Sequence, residues 1–131
     1  MDKTMIFDSI YRQDGFENQR LCVIPRPLVE SALSRPGTRQ LTVTDAGYFP
    51  AAAGHRRART QGAQETIVIL CVAGAGVVRL EGESYALAPG ACITIPAHKP
   101  HEYESSMTDP WTIWWMHVRG DDVAELTGPL L

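Results

Sequence analysis

The sequence predicts an all-β domain, a sandwich or barrel of short strands, with one short helix before the strands and the start of another after them. From Gln40 onward apolar residues alternate with polar ones, and turn residues recur every several positions. Seven short strands with turns this close together favour a sandwich or barrel over alternating strands and helices. A chain of 131 residues has room for one well-buried core, so we expect one domain.

The segment before Gln40 predicts an arm followed by a helix. Residues 1–20 carry isolated apolar positions with no sustained period, which predicts an irregular N-terminal arm. Residues 25–33 place apolar side chains at helical spacing, with prolines at the entry and Ser34-Arg-Pro-Gly37 as the stop. Residues 121–131 begin with an acidic turn typical of a helix start, so we expect another helix to begin there.

The rest of the chain is predicted to form strands separated by turns. The predicted strands are residues 40–46, 65–72, 76–81, 84–88, 92–95, 101–105 and 111–119. Ala73-Gly-Ala-Gly76 lacks the third glycine and the following helix of a nucleotide-binding loop, so it is interpreted as a hairpin turn.

Composition and charge limit the classes of protein to which the chain can belong. Twelve Lys and Arg against fifteen Asp and Glu give a formal net charge of -3, so the whole chain has no electrostatic attraction for nucleic acid or an anionic membrane. Cys22, Cys71 and Cys92 form no Cys-x-x-Cys pair and are expected to be buried free thiols. With no long apolar stretch and no signal-peptide pattern, we expect a soluble, cytoplasmic protein.

The segment from His98 to Glu104 raises the question of a metal site. It carries His98, His101 and Glu102, but the chain contains no His-x-His pair, and one imidazole with a carboxylate is too few for a tight metal site. We therefore predict no metal and no cofactor. His98 is expected to be exposed in a proline-bounded turn, while His101 could either line a pocket or make a structural hydrogen bond.

No catalytic residue stands out elsewhere. No serine lies in a Gly-x-Ser-x-Gly turn, and no cysteine has an evident histidine partner nearby in sequence. Glu102 and Glu104 share one face of a strand by alternation and are interpreted as a solvated face.

The strand predicted at residues 111–119 is apolar on both faces. Alternation places one set inward and the other outward: Trp111, Ile113, Trp115 and His117 against Thr112, Trp114, Met116 and Val118. The outward set should be covered by the helix, the arm or a partner subunit. The inward aromatics are either core or the wall of a pocket for a flat ligand. Arg59, in a basic cluster predicted to be a loop, is either a fixed charge in that pocket or solvated.

Five segments together, in order and spacing, resemble the N-terminal ligand-sensing domain of AraC-family transcriptional regulators over residues 21–120. These segments are Thr44–Pro50, His55–Arg59, Leu70–Gly76, Ala88–Tyr103 and Pro110–Gly120. The resemblance implies a cupin-like jelly-roll barrel that binds a small effector, usually a sugar, and forms a homodimer. It implies that residues 121–131 are the start of a linker or dimerisation helix. It also implies a C-terminal DNA-binding domain with helix-turn-helix motifs, and no such motif occurs in these 131 residues.

The resemblance also implies which residues line the effector pocket. The family's pocket arginine, tyrosine and tryptophan match Arg59, Tyr103 and Trp115, and we add the neighbouring His101 as a candidate. A pocket histidine of the arabinose regulator matches Ile113, so arabinose itself is not the expected effector. The resemblance therefore indicates a sensor rather than an enzyme. The alternatives are a cupin enzyme, such as a sugar isomerase or metal-dependent oxygenase, and a dimerisation module with a filled core and no ligand.

Overall fold

A computed structural model describes residues 11–128, which form nine strands and two short helices. The strands are β1 (Arg20–Val23), β2 (Thr42–Phe49), β3 (Arg56–Arg59), β4 (Thr66–Ala73), β5 (Gly76–Leu80), β6 (Glu83–Leu87), β7 (Cys92–Ile95), β8 (His101–Ser105) and β9 (Thr112–Arg119). The helices are α1 (Arg26–Leu33) and α2 (Val123–Thr127).

The strands pair antiparallel in two sheets that share one core. One sheet has the order β1-β2-β9-β4-β7 and the other β3-β8-β5-β6. The core cluster takes side chains from both sheets, so the arrangement is a sandwich with its apolar faces turned inward. The predicted all-β domain with two short helices is confirmed.

Two strands were not predicted from the sequence. The cluster that includes Arg59 was expected to be a loop, and that expectation is wrong, since Arg56–Arg59 forms β3 and pairs along its length with β8. Its sequence, Arg-Arg-Ala-Arg, lacks the apolar alternation that marks a half-buried strand, because the inward-facing side of this strand is cationic. The other strand, β1, is short and exposed along its whole length.

The glycine-rich segment after β4 is also not the hairpin turn that was expected. It carries the chain from one sheet to the other, because β4 pairs with β7 and β9 whereas β5 pairs with β6 and β8. Gly74 has φ +70°, and a Cβ there would overlap the carbonyl oxygen of Pro110. A Cβ at Gly76 would overlap the ring of Trp111, so both glycines make room for the segment that leads into β9.

Trp111 fills one end of the core. Its side chain is fully buried, its backbone N–H donates to Ser105 Oγ at 2.8 Å, and its indole N–H donates to His55 Nδ1 at 3.0 Å. His55 immediately precedes β3 and Trp111 immediately precedes β9. These contacts therefore fix the starts of two strands that belong to different sheets.

The described part of the predicted arm lies against the barrel. Arg12 forms a β-bridge with His55, and Phe16 is buried, with its ring centroid 5.1 Å from that of Phe49. The predicted boundaries at residues 20 and 120 remain predictions, and residues 1–10 and 129–131 lie outside the described range.

Two further expectations concern the cysteines and membrane segments. All three thiols are free, but Cys22 and Cys92 are exposed and Cys71 alone of the three is buried, so the expectation of three buried thiols is wrong. Within residues 11–128 no helix has the length and apolar character needed to cross a membrane.

Candidate functional site

A cavity of about 260 Å³ opens between the two sheets. Its lining comes from the segment before β1, from both sheets and from the residue that precedes β3. The lining residues are Gln13, Asp14, Leu21, Val23, Asp45, Phe49, His55, Arg57, Arg59, Ile67, Ile69, Tyr103, Ile113, Trp115 and His117.

Alternation along β3 directs two arginines inward and one outward. Arg57 and Arg59 are half-buried and line the cavity, whereas Arg56 is exposed and pairs with Glu102 on the outer side. Arg79 also bridges Glu102 and Glu104 at 3.0 and 2.9 Å. The two glutamates thus lie on a solvated, ion-paired outer face, as alternation predicted.

Arg59 is held in place by two neutral side chains. Its Nη1 donates to the hydroxyl oxygen of Tyr103 and contacts Nε2 of His101, each at 3.1 Å. The Nδ1–H of His101 donates to the carbonyl of Lys99 at 2.9 Å, which leaves Nε2 as the acceptor for Arg59. Burial lowers the pKa of His101, in keeping with this neutral form.

Trp115 forms an aromatic wall of the cavity. Its indole ring lies 5.5 Å from the ring of Phe49 and 4.9 Å from that of His117. Gly47 on the neighbouring strand makes room for it, since a Cβ there would lie 2.5 Å from the indole. Trp114 faces the other way, is 49% exposed and packs on Tyr48, so the facing predicted from alternation is confirmed.

A carboxylate and an imidazole face each other at the cavity wall. Nδ1 of His117 lies 3.0 Å from Oδ1 of Asp45 and 3.9 Å from Oε1 of Glu65. Burial opposes ionisation of Asp45, but hydrogen bonds from His117 and Thr44 outweigh it and hold the pKa of Asp45 below its usual value. Asp45 is therefore ionised and already partnered.

His55 is the most deeply buried titratable group in the lining. It is 3% exposed, and its ring lies 5.2 Å from those of Phe16 and Phe49. Burial, then the charges of Arg59 and Arg57, lower its pKa to about 4. The imidazole is neutral at neutral pH and accepts the indole N–H of Trp111.

The structure brings four of the five sequence-predicted site residues together. Arg59, Tyr103, Ile113 and Trp115 line the cavity, while His101 lies behind Arg59 and does not line it. His101 therefore has the structural hydrogen bond that was one of its two expected roles; whether any of the five binds a ligand stays a prediction. His98 is exposed in its turn, as expected.

Sequence reasoning missed six polar residues of the lining: Gln13, Asp14, Asp45, His55, Arg57 and His117. Once the basic cluster is recognised as a strand, alternation places Arg57 on the same inward face as Arg59. His117 was placed on the inward face without a role, because its partner Asp45 comes from β2 and only the strand pairing brings them together. Across residues 11–128, no group of three or more His, Cys, Asp or Glu side chains could hold a metal ion.

Comparison with known proteins assigns a family. A family model described as the AraC-like ligand binding domain matches residues 46–129. The MmsAB operon regulatory protein of Pseudomonas aeruginosa is 35% identical over 107 residues, which make up 79% of this chain and 34% of that protein. The chain thus spans about a third of the length of this relative.

Solved structures confirm the cupin-like jelly roll. A conserved protein of unknown function from Streptococcus pyogenes is similar with a TM-score of 0.51 at 15% identity, covering 85% of this chain and 80% of that one. A cupin-like protein from Thermotoga maritima has a TM-score of 0.51 at 13% identity, covering 86% and 82%. The cupin domain of Schizosaccharomyces pombe Cnp3 has a TM-score of 0.50 at 7% identity, covering 86% and 72%. At these identities the likeness shows the fold alone.

The neutral form of His55 predicts that the fold loses stability in mild acid. Its pKa is about 4 when folded against 6.5 for the free side chain, so between these values the unfolded chain binds more protons. The stabilisation is fully present above pH 6.5 and is lost as the pH falls toward 4. Urea unfolding at pH 7 and pH 5 should show a loss of about 2 kcal/mol from His55.

Two variants separate this contribution from other titrating groups. His55→Gln keeps an acceptor for the indole of Trp111 but cannot gain a proton, so it should lose about 2 kcal/mol less than the wild type between the two pH values. His98→Gln, at an exposed position, should keep the wild-type dependence. Equal pH dependence in His55→Gln and the wild type would show that His55 is not the group responsible.

Proposed function

The chain belongs to the family of AraC-like ligand-binding domains, and we propose that it senses its small-molecule effector in the cavity walled by Arg59, Tyr103 and Trp115. Family membership indicates a ligand-sensing regulatory domain rather than an enzyme. The finer parts of the proposal are the place of binding, a sugar or similarly polar effector, assembly as a homodimer, and control of DNA binding by another part of a longer regulator.

One observation carries the choice of this cavity. Nε1 of Trp115 is buried and has no hydrogen-bond partner within residues 11–128, although Trp115 lines the cavity. A buried donor left unpaired costs about 1–3 kcal/mol, so such groups are normally satisfied. Because this N–H is enclosed, a polar ligand would accept it only after a shift of the indole, whereas the indole already lines the cavity and offers a ring face on which a sugar could pack its C–H groups.

The alternatives receive less support. A dimerisation module with a filled core does not fit a lined cavity of about 260 Å³ that carries charged and aromatic side chains. A cupin enzyme would need a catalytic group, and no observation on the described residues favours one.

The effector is proposed to act by shifting a conformational equilibrium. Gln13 and Asp14, from the segment that precedes β1, line the same cavity as Trp115. A ligand there meets both the barrel and this segment, so it can favour one arrangement of the two. The MmsAB operon regulatory protein is nearly three times as long as the stretch it shares with this chain, which leaves room for a separate DNA-binding region in such regulators.

The outer face of the five-stranded sheet supports the proposed homodimer. Tyr48, Trp114 and Leu70 lie in register across β2, β9 and β4, and Trp114 and Leu70 are exposed. Helix α1 packs against β2 and leaves this row uncovered by the described residues. We propose that a second copy of the chain covers it.

The effector site predicts different roles for two adjacent tryptophans. Trp115→Ala should weaken binding of the tightest sugar from a monosaccharide panel by about 1–3 kcal/mol, because a stacking face is lost. Trp114→Ala should leave the affinity unchanged, because that indole faces outward. Calorimetric titration measures both, and equal losses in the two variants would place the site elsewhere.

The dimer proposal predicts a charge-sensitive interface on the outer face. Leu70→Glu should shift the chain toward monomer in sedimentation velocity, because it places a charge within the apolar row. Met107→Glu, which charges a more exposed side chain outside that row, is the control and should sediment as the wild type. Sedimentation of Leu70→Glu identical to that of the wild type would exclude this face.

The proposed division of labour predicts that residues 1–131 do not bind DNA specifically. The net charge is -3 and two of the three arginines of β3 face the cavity, so only weak, salt-sensitive phosphate contacts are available. A mobility-shift assay at physiological salt should show no specific retardation of promoter DNA by this chain. Specific retardation would mean that DNA recognition lies within these residues.

A further inference from the structure

The cavity carries two guanidinium groups that have no carboxylate partner among residues 11–128. None of the ion pairs formed by residues 11–128 includes Arg57 or Arg59. Arg59 is bonded to the neutral Tyr103 and His101, and Arg57 donates to the amide oxygen of Gln13. Two positive charges on one short strand therefore face the cavity with neutral partners.

These two arginines differ from Arg56 on the same strand. Arg56 is solvated on the outer side and has Glu102 within salt-bridge distance. Arg57 and Arg59 are half-buried, and Nε of Arg57 is fully enclosed without a hydrogen-bond partner among the described residues. Buried charges are normally paired, because removing an ion from water is costly.

The direction of the pKa shifts of neighbouring groups is consistent with a positive electrostatic potential in the cavity. Burial and then the charge of Arg59 lower the pKa of Arg57, and they outweigh the smaller raising effects of Tyr103 and Asp14. The same two arginines add to burial in lowering the pKa of His55 to about 4. Each arginine thus disfavours positive charge on the groups around it, and an anion placed there would relieve that repulsion.

Within residues 11–128, no carboxylate in the lining forms an ion pair with Arg57 or Arg59, although the charge of Arg59 is the last of the causes that lower the pKa of Asp45. Asp45 accepts hydrogen bonds from His117 and from the hydroxyl of Thr44, so its carboxylate is already engaged. Asp14 is exposed at the cavity edge and forms no ion pair within the described part of the chain.

We propose that the effector carries an acidic group, a carboxylate or a phosphate, which binds to the guanidinium groups of Arg57 and Arg59. The inference rests on the proposed effector cavity and names the chemistry of the ligand that fits it. Guanidinium groups bind carboxylates and phosphates through paired, charge-assisted hydrogen bonds. The carbon skeleton of the ligand then faces Ile113 and the indole of Trp115.

The test compares anionic probes with neutral probes of the same shape. The purified chain is titrated with D-glucuronate and its neutral amide, D-glucuronamide, at constant ionic strength, with binding read from calorimetry and tryptophan emission. Acetate and inorganic phosphate, each compared with potassium chloride at equal ionic strength in thermal unfolding, serve as probes without a sugar skeleton and distinguish a carboxylate from a phosphate. At least one anion should bind or stabilise the chain, and glucuronate should bind roughly tenfold more tightly than its amide if the acid is a carboxylate.

Three arginine variants identify the groups responsible. Arg57→Gln and Arg59→Gln should each weaken anion binding by roughly tenfold or more, because each removes a charge that faces the cavity. Arg56→Gln removes the same charge from the outer side of the same strand and should bind as the wild type. Arg57→Gln keeps the bonds between Arg59 and Tyr103, so it remains informative if Arg59→Gln unfolds in circular dichroism.

The outcomes separate this inference from the proposed function. Neutral sugars that bind as tightly as their acids, with Trp115 required and Arg57 and Arg59 dispensable, would overturn the acidic effector and leave the cavity as the sensing site. Anion stabilisation that is equal in the wild type, Arg57→Gln and Arg59→Gln would overturn the inference as a general ion effect. If no probe of either kind binds, both proposals fail.

Discussion

The hydrogen bond from the indole of Trp111 to Nδ1 of His55 is the contact on which the site depends. His55 immediately precedes β3 and Trp111 immediately precedes β9, and these two strands supply Arg57, Arg59 and Trp115 to the cavity. Nδ1 can accept the indole N–H only in the neutral imidazole, and burial, which lowers the pKa of His55 to about 4, favours that form. The bond thereby joins the start of β3 in one sheet to the start of β9 in the other, next to the cavity that His55 itself lines.

The alternation of side chains along β3 determines which of its residues face the cavity. Once β3 starts at Arg56, its second and fourth residues must face inward, and the pairing with β8 places Arg57 opposite Tyr103 and Arg59 opposite His101. The inward side of β3 is then cationic, while the sheet opposite supplies mostly apolar and aromatic side chains together with the hydrogen-bonded pair of Asp45 and His117. An interior built in this way suits a ligand that is polar at one end and apolar at the other.

Features that depend on residues close together in sequence could be predicted from the sequence. Features that depend on pairing between distant strands could not. The facing of Trp114 and Trp115 depends on neighbouring residues alone, so alternation was enough to predict it. The strand at Arg56–Arg59 could not be recognised, because its stability comes from backbone pairing with β8 and its inward residues are charged rather than apolar. The contact between His117 and Asp45 depends on the register of β2 against β9, which shifts between Val43 and Asp45 and is not encoded in either strand alone.

The arginines of the cavity also provide a way for ligand binding to affect the segment that precedes β1. Arg57 donates to Gln13, which belongs to the segment that precedes β1, and the same guanidinium is available to a ligand acid. A carboxylate or phosphate accepts stronger hydrogen bonds from arginine than a neutral amide oxygen does, so a bound acid competes with Gln13 for Arg57. A ligand that changes this contact has different affinities for the two positions of the segment, which is the thermodynamic requirement for shifting their populations. In the proposed function, ligand binding at Arg57 would then be linked to the position of Gln13 through this one side chain.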